Sequence, residues 1–263
     1  MLSMFPDIYP DELLVSVYAR FHVRLRAFPQ KTAQLLFGST TLCIKGDLPH
    51  RLSHLATMLP PGYRPSIREM IVHHTLLPIY ERFSLCPRCE DHMMGMTGYS
   101  FERSSIRLIR TVPTLRYCPM CCKEDHDQAG EYYWHRNHQI PGIPVCLIHQ
   151  VFLECSDIPL LKIPATDLMS IAAELSLQPV APRQVNINNG HHRTIVNIAC
   201  ELVEFLSAAG SSHARTSKSI IRLLNQSEYL TERYSPKPPN PVAKRPKTFA
   251  RQEGTRHSAS LRQ

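Results

Sequence analysis

Two pairs of metal-ligand residues, separated by 24 residues, constrain this chain more than any other feature of its sequence. Cys118 and Cys121 enclose two residues, and Cys146 and His149 enclose two more. This separation lets a tight turn aim both side chains at one point, and three thiolates with one imidazole complete a tetrahedron around Zn²⁺. Protein groups then fill all four positions, so no place remains for an activated water. The pattern therefore predicts one structural Zn²⁺ ion as the cofactor.

Other interpretations of these residues stay open. Ordinary buried cysteines with a chance spacing are the simplest alternative, because free cysteine is among the most buried residue types. Competing ligands are Cys122, His126, His135 and His138. Each ligand pair that encloses two residues forms a knuckle, and Cys122, which directly follows the knuckle of Cys118 and Cys121, is expected to point elsewhere. His135 and His138 are three residues apart, but their segment lacks the glutamate base of His-Glu-x-x-His enzymes. A zinc enzyme is therefore an alternative, and we expect a protein that is not an enzyme.

A third knuckle, Cys86 and Cys89, has the form Cys-Pro-x-Cys and indicates a second zinc site. Its matching half is not evident from the sequence. The residues that it would have to recruit are His73, His92, Cys122, His126 or His138.

Composition favours a folded protein of one or two domains, with 263 residues of which 43% are hydrophobic and 20% charged. No stretch approaches the roughly 18 to 20 apolar residues that span a bilayer. The N-terminus is acidic early, unlike a signal peptide. We therefore expect a cytoplasmic protein without membrane contact, in which reduced cysteines bind metal sooner than they form disulfides.

The net charge of +8 lies mostly in one segment. The segment from Ser235 onward contains seven basic residues and one acidic residue, whereas the net charge of the preceding residues is close to zero. This segment is also rich in proline and poor in apolar residues, which predicts a disordered tail over residues 235–263. Lys244, Arg245 and Lys247 are its candidate nucleic-acid contacts, acting through counterion release. A frayed end, or the remnant of a longer protein, is the alternative.

Helical periodicity begins near the N-terminus. Pro10 suits the first turn of a helix, and Asp11 and Glu12 follow where the helix dipole favours acids. A second helix is predicted over residues 29–37, and Gly38 is a suitable left-handed cap.

Further short helices follow in the same region. Asp47 is predicted to cap a third helix that ends near Leu59, and Ser66 with Glu69 forms a capping box for a fourth. Residues 40–44 form either a strand or a buried connector. Helices joined by such tight turns permit a helix-turn-helix, with a plain helical bundle as the alternative.

Amphipathic helices are also predicted after the zinc stretch. One opens at Thr166 and runs to Leu175, one covers residues 193–209, and one begins after Ser217. The last two again permit a helix-turn-helix, with Lys218 and Arg222 facing phosphate. A solvated face on an antiparallel helix pair is the alternative.

These signals together predict a mostly α fold with a small zinc-binding module that resembles a zinc ribbon or zinc knuckle. We expect four parts, namely a helical domain over 1–82, the zinc module over 83–160, a helical segment over 161–234 and the tail over 235–263.

Three segments resemble the TnsD/TniQ family of transposon target-selection proteins. The first is FPDIYPDELLVSVYARFH, which includes Pro10, Asp11, Glu12 and Arg20, and the second is HTLLPIYERF. The third contains GEYYWHRNHQIPGIPVC, followed by His149. The likeness extends over about residues 4–156.

The resemblance implies a bacterial, nucleoid-associated protein that selects the target site for a Tn7-like transposon without catalysing the reaction. Such proteins bind target DNA or a CRISPR RNA-guided complex, and they recruit an AAA+ transposition regulator of the TnsC type. The family pattern assigns zinc to the Cys-Cys-Cys-His set and associates the N-terminal segment with the regulator, which makes Pro10, Asp11, Glu12 and Arg20 candidate partner-binding residues. The alternative function is a stand-alone, sequence-specific, zinc-containing DNA-binding regulator.

Overall fold

Short helices are the main regular elements of the structure, a computed structural model that describes residues 1–83, 112–177 and 180–207. The helices of the N-terminal part are α1 (Leu14–Leu25), α2 (Pro29–Phe37), α3 (Leu52–Met58), α4 (Ile67–His74) and α5 (Leu77–Phe83). Those that follow are α6 (Pro119–Ala129), α7 (Ala173–Ser176) and α8 (Gly190–Ser207). The predicted helical character is confirmed for these ranges, where helices occur together with short strands, whereas the helix-turn-helix stays a prediction.

Two predicted helix boundaries are confirmed in detail. Helix α2 covers residues 29–37, and Gly38 caps it in the left-handed conformation at φ +65°. At the start of α4, the Ser66 hydroxyl accepts a hydrogen bond from the Glu69 amide, and the Ser66 amide donates to the Glu69 carboxylate. Both signals depend on neighbouring residues alone, which is why the sequence reveals them.

Two predicted helix starts are wrong. Helix α1 begins at Leu14 and not at Pro10, because Asp11 adopts a left-handed φ of 56° and Glu12 forms a bridge with His135. Helix α3 begins at Leu52, since Arg51 is left-handed at φ 65°. Asp47 instead is buried and accepts a hydrogen bond from the Tyr80 hydroxyl at 3.1 Å. In each case a residue that the local pattern assigned to a helix end instead contacts a residue far along the chain.

Six short strands form three antiparallel pairs within the described ranges. The strands are β1 (Cys43–Ile44), β2 (Thr114–Tyr117), β3 (Val145–Cys146), β4 (Val151–Phe152), β5 (Glu154–Pro159) and β6 (Ile163–Pro164). The pairs are β1 with β6, β2 with β5, and β3 with β4. Residues 43–44 thus resolve the ambiguity of segment 40–44 as a strand, and its partner lies about 120 residues further along the chain.

The predictions after the zinc stretch are partly correct. The helix expected from Thr166 to Leu175 is instead a 3₁₀ turn, Leu168–Ile171, followed by the short α7, because Ala172 leaves the helical conformation at ψ 114°. The helix expected over 193–209 is present as α8, which starts three residues earlier at Gly190. The helix predicted after Ser217 lies outside the described residues.

One buried hydrophobic cluster includes side chains from the first helices, the cysteine-rich stretch and the residues after it. Trp134 lies fully buried in this cluster, and its indole N–H donates to the Ile171 carbonyl at 2.6 Å. Its own carbonyl accepts from the Leu13 amide at 2.7 Å, directly before α1. The packing therefore fixes the cysteine-rich stretch against α1, while the predicted boundaries at residues 82 and 160 stay predictions. None of the helices in the described ranges is both long and apolar enough to cross a bilayer.

Candidate metal centre

The first knuckle lies at the N-terminus of α6. Cys118 is the N-cap residue of this helix, and Pro119 occupies the first helical position, where its fixed φ and missing amide hydrogen are favourable. The Cys118 sulfur accepts a hydrogen bond from the Cys121 amide at 3.5 Å, as an N-cap side chain does. The start of the helix therefore aims Cys118 and Cys121 into the same space.

The second knuckle is the turn of the β3–β4 hairpin. Cys146 ends β3, and the Gln150 amide donates to the Cys146 carbonyl at 2.8 Å. Gln150 has a left-handed φ of 52°, which returns the chain into β4. His149 lies within this turn, so its ring faces the same point as the Cys146 sulfur.

The four predicted ligands form one compact group. All four donor atoms, from Cys118, Cys121, Cys146 and His149, lie within 4.8 Å of one another. The His149 Nδ1 atom is 3.6, 3.3 and 3.7 Å from the sulfurs of Cys118, Cys121 and Cys146, and the last two sulfurs are 3.7 Å apart. A tetrahedral site with metal–sulfur bonds of about 2.3 Å has edges of roughly 3.6 to 3.8 Å. The spacing is therefore that of a site that could hold a metal ion.

The electrostatics of the three thiols also favour a cation. Contact with Cys118 raises the pKa of the Cys121 thiol, and contact with Cys118 lowers the pKa of the Cys146 thiol. One thiolate is thus stabilised at the expense of its neighbours. A divalent ion would allow all three to ionise together, because a coordinating thiol is deprotonated outright.

Two further side chains contact the ligands, namely Glu124, which was not among the predicted residues, and His138, which was a predicted competing ligand. Glu124 on α6 accepts a hydrogen bond from His149 Nε2 at 3.0 Å, which fixes the ring so that Nδ1 faces the sulfurs. His138 places its Nε2 atom 3.6 Å from the Cys121 sulfur. Glu124 lies three residues after Cys121 on the same helix, and this spacing is the one signal that could have indicated its hydrogen bond with His149.

The other three competing ligands, Cys122, His126 and His135, lie elsewhere. Cys122 points away from the group into the main hydrophobic cluster, as expected, and the His126 ring packs on Tyr132. His135 lies between Asp125, at 2.8 Å, and Asp11, at 3.7 Å. Burial lowers the pKa of His135, but its contacts with Asp11 and Asp125 outweigh this effect and raise the pKa to about 9.

Within the described ranges, the Cys-Cys-Cys-His group is the one set of three or more metal-ligating side chains that converges. His135 and His138 are close, with ring centroids 4.7 Å apart, but they do not form such a set. The candidate second site at Cys86 and Cys89 lies outside the described residues.

The candidate partner-binding residues divide into buried and accessible ones. Arg20 is buried and contacts Glu12 at 2.7 Å and Glu131 at 2.8 Å. Pro10 is exposed and Asp11 partly exposed. Glu12 and Arg20 therefore lie inside the protein, where they support the N-terminal segment, and Pro10 and Asp11 lie at its surface.

Glu131 was not among the predicted residues, yet it joins the N-terminal segment to the cysteine-rich stretch. The Tyr9 hydroxyl, Arg20 and Arg24 all donate to its carboxylate. Arg20 also lies 3.9 Å over the Tyr9 ring. No local pattern signals this contact, because Glu131 and Arg20 are 111 residues apart.

The candidate nucleic-acid-binding residues fall beyond residue 207, outside the described part of the chain. They are Lys218, Arg222, Lys244, Arg245 and Lys247.

Comparison with known proteins identifies the family. Over 153 residues the chain is 26% identical to the transposon Tn7 transposition protein TnsD of Escherichia coli. That match covers 55% of this chain and 30% of the relative, so the chain matches less than a third of the relative's length. The sequence model of the TniQ family matches residues 3–153, a range that contains α1 to α6 and all four converging ligands. The chain therefore belongs to the TniQ family.

Proposed function

We propose that this protein is a non-enzymatic adaptor that selects the target site for a Tn7-like transposon. In this role it binds target DNA, or an RNA-guided CRISPR complex, and recruits the AAA+ regulator of the transposon. The observation that carries the proposal is the TniQ match over residues 3–153, which is supported by the similarity to a Tn7 transposition protein. Such an adaptor acts in the bacterial cytoplasm at the nucleoid.

We assign Zn²⁺ to the metal centre. Three sulfurs and one imidazole nitrogen at tetrahedral spacing suit this ion, and the carboxylate behind His149 is a frequent partner of zinc-bound histidine. All four positions come from protein, so the ion holds α6 against the β3–β4 hairpin and activates no water. Its part in the function is to fix the shape of the surface that other molecules contact.

The N-terminal segment is the proposed contact for the AAA+ regulator. Pro10 and Asp11 are accessible and are the residues that would contact it directly. Asp11 is held in place, because its carboxylate accepts from the Asn137 amide at 3.1 Å and lies near Arg136 and His135. Glu12 and Arg20 would act through the position of this segment and not by direct contact.

A retention assay with the regulator tests the adaptor role. Immobilised full-length chain should retain the purified AAA+ ATPase of its transposon when ATP is present, and Pro10→Ala with Asp11→Ala should reduce retention. Phe28→Ala is the control, because Phe28 is 80% exposed and is not among the proposed contact residues. Absence of retention by the wild-type chain, with and without target DNA, would contradict the proposed function.

The DNA contacts are proposed for Lys218, Arg222 and the basic residues of the tail. Replacing Lys244, Arg245 and Lys247 by glutamine should make the dependence of DNA affinity on salt less steep. The log–log slope should change by about 0.9 for each phosphate that the tail no longer neutralises.

The control for this experiment is a triple glutamine variant at Arg26, Lys31 and Lys123, three exposed basic residues of the folded body. An equal change in slope for both triple variants would contradict a specific role for the tail. High sequence specificity without any partner would instead favour the stand-alone regulator.

A further inference from the structure

The charge of the described residues is unevenly distributed along the chain. Residues 13–65, which include α1 to α3, contain seven lysine and arginine residues and one acidic residue, Asp47. Asp47 is buried, so no carboxylate of this range lies at the surface. Residues 123–131 have the opposite balance, with four acidic residues and one lysine. The near-zero net charge of the residues before the tail therefore conceals a basic surface on the N-terminal helices.

Two lysines from distant parts of the chain lie side by side at one end of the β1–β6 pair. Lys45 directly follows β1, and Lys162 directly precedes β6. Their neighbours Ile44 and Ile163 are paired across the two strands, so the backbones of the lysines are also adjacent. Like charges at such neighbouring positions repel each other and destabilise a sheet. A bound anion relieves this repulsion.

His50 and Arg51 join the two lysines in one cluster. Burial lowers the pKa of His50, and the positive charges of Lys45 and Arg51, which lie close to its ring, lower that pKa further. The Arg51 side chain is held in place, because its Nη1 atom donates to the Phe37 carbonyl at 2.9 Å. We call Lys45, His50, Arg51 and Lys162 the basic cluster.

Two members of the basic cluster adopt the left-handed backbone conformation. Lys162 has a φ of 60°, and Arg51 has a φ of 65°. This conformation costs free energy for residues with a Cβ atom, and residues that retain it are frequent in ligand-binding sites. The backbone strain and the like-charge repulsion at Lys162 both oppose folding. Together they indicate that this lysine is placed for binding.

The surroundings of the basic cluster favour a nucleic acid over a protein as the partner. Protein–protein interfaces have a core of apolar and aromatic side chains with few charges. Within residues 38–65, none of the large apolar side chains is exposed, so this surface offers no such core. Interfaces with nucleic acids are instead polar and strongly positive, which is the character of this surface.

We propose that the basic cluster binds the phosphate backbone of a nucleic acid. The Arg51 guanidinium suits two phosphate oxygens at once, and the ammonium groups of the two lysines act as point charges. The proposal rests on the proposed function only for the choice between target DNA and guide RNA, since both present the same phosphodiester chemistry. Affinity of this kind depends steeply on salt, because each neutralised phosphate releases bound counterions.

Fluorescence anisotropy with a labelled DNA duplex of random sequence, measured with the full-length chain over a range of salt concentrations, tests the proposal. Lys45→Gln with Lys162→Gln should make the log–log slope less steep by about 1.8, which is about 0.9 for each of two phosphates. Arg26→Gln with Lys31→Gln is the matched control, because it removes the same charge at two exposed residues outside the cluster, and it should keep the wild-type slope. An unchanged slope for the lysine pair, or an equal change for both pairs, would overturn the proposal.

Lys162→Gly separates binding from folding. Glycine adopts a φ of 60° without strain, so this variant should unfold at or above the wild-type Tm. Its log–log slope should still become less steep by about 0.9. A lower Tm together with an unchanged slope would show that Lys162 has a structural role, and would overturn the proposal.

Two competitors identify the ligand. Single-stranded RNA that displaces the duplex from wild type, but displaces it less well from the Lys45 and Lys162 double variant, would support guide RNA as the ligand; displacement by unlabelled duplex alone would support target DNA. Equal competition by poly-glutamate of the same charge would overturn a nucleic acid and indicate an acidic protein segment. The double variant should retain the AAA+ regulator as wild type does. Absence of retention by wild type would contradict the adaptor role and leave the measured slopes unaffected.

Discussion

Arg20→Ala should destabilise the protein strongly. In the folded chain Arg20 lies between two carboxylates, 2.7 Å from Glu12 and 2.8 Å from Glu131. The Glu12 side chain is completely buried, and burial raises its pKa to about 7 even beside Arg20, so removing Arg20 leaves a buried carboxyl that must stay charged without its cation or take up a proton. Breaking a buried ion pair in this way costs about 3 to 5 kcal/mol. For a chain of this size, about 2 to 4 °C per kcal/mol corresponds to a fall in Tm on the order of 10 °C.

Arg24→Ala is the matched control. Arg24 donates to the same Glu131 carboxylate, but its side chain is 38% exposed. Exposed ion pairs contribute about 0 to 1 kcal/mol, so this variant should lower Tm by only a few degrees. The two arginines thus differ in burial while they share one acceptor.

Thermal unfolding followed by circular dichroism measures both effects. Adding Glu12→Gln to Arg20→Ala should recover part of the loss, because the neutral amide no longer leaves a charge unpaired. The reasoning would be refuted if Arg20→Ala kept the wild-type Tm and weakened only the retention of the AAA+ regulator. Arg20 would then contact the partner directly, despite its burial.

Three further predictions concern the metal centre and its surroundings. Cys118→Ser should lose the bound zinc and unfold, whereas Cys122→Ser should keep one ion, as measured by elemental analysis and circular dichroism, because zinc can supply on the order of 10 kcal/mol of folding free energy. Zinc retained by Cys118→Ser would contradict the assigned ligand set. Glu124→Gln should weaken zinc binding about 10- to 100-fold in a chelator competition, and Asp127→Asn on the same helix should not. The pKa of His135 is about 9 in the folded chain and about 6.5 in the unfolded chain. The contacts of protonated His135 with Asp11 and Asp125 therefore stabilise the fold fully below pH 6.5, and this stabilisation is lost as pH rises through 9. Between pH 6.5 and 9.5, urea titrations should show that the free energy of unfolding falls by up to about 3 kcal/mol more for wild type than for His135→Gln. The same pH dependence for both proteins would refute this.

The convergence of Cys118, Cys121, Cys146 and His149 could be predicted from the sequence because each pair lies in one short turn. Two residues between ligands suffice to place both side chains on one turn, whether that turn starts a helix, as at Cys118, or closes a hairpin, as at Cys146. Helix ends that depend on neighbouring residues, such as the capping box at Ser66, could also be predicted from the sequence. These features need no knowledge of the rest of the fold.

The start of the first helix shows where local reasoning failed. The acids after Pro10 fit the first turn of a helix, yet the structure uses them to join distant parts of the chain. Asp11 accepts from the Asn137 amide, and Glu12 pairs with Arg20 inside the protein. Electrostatic preference at a helix end is weak and is readily outweighed by a buried ion pair or a fixed backbone contact.

By itself the sequence determined the helical character, the ligands of the candidate metal centre and the family resemblance, all of which lie in short stretches of neighbouring residues. Only the tertiary structure decided that Glu131 meets Arg20, that Glu124 orients His149, and that His138 lies beside the Cys121 sulfur. The physical reason is that burial and pairing depend on which segments pack together, and contacts between different segments of the chain leave no periodic trace in the sequence.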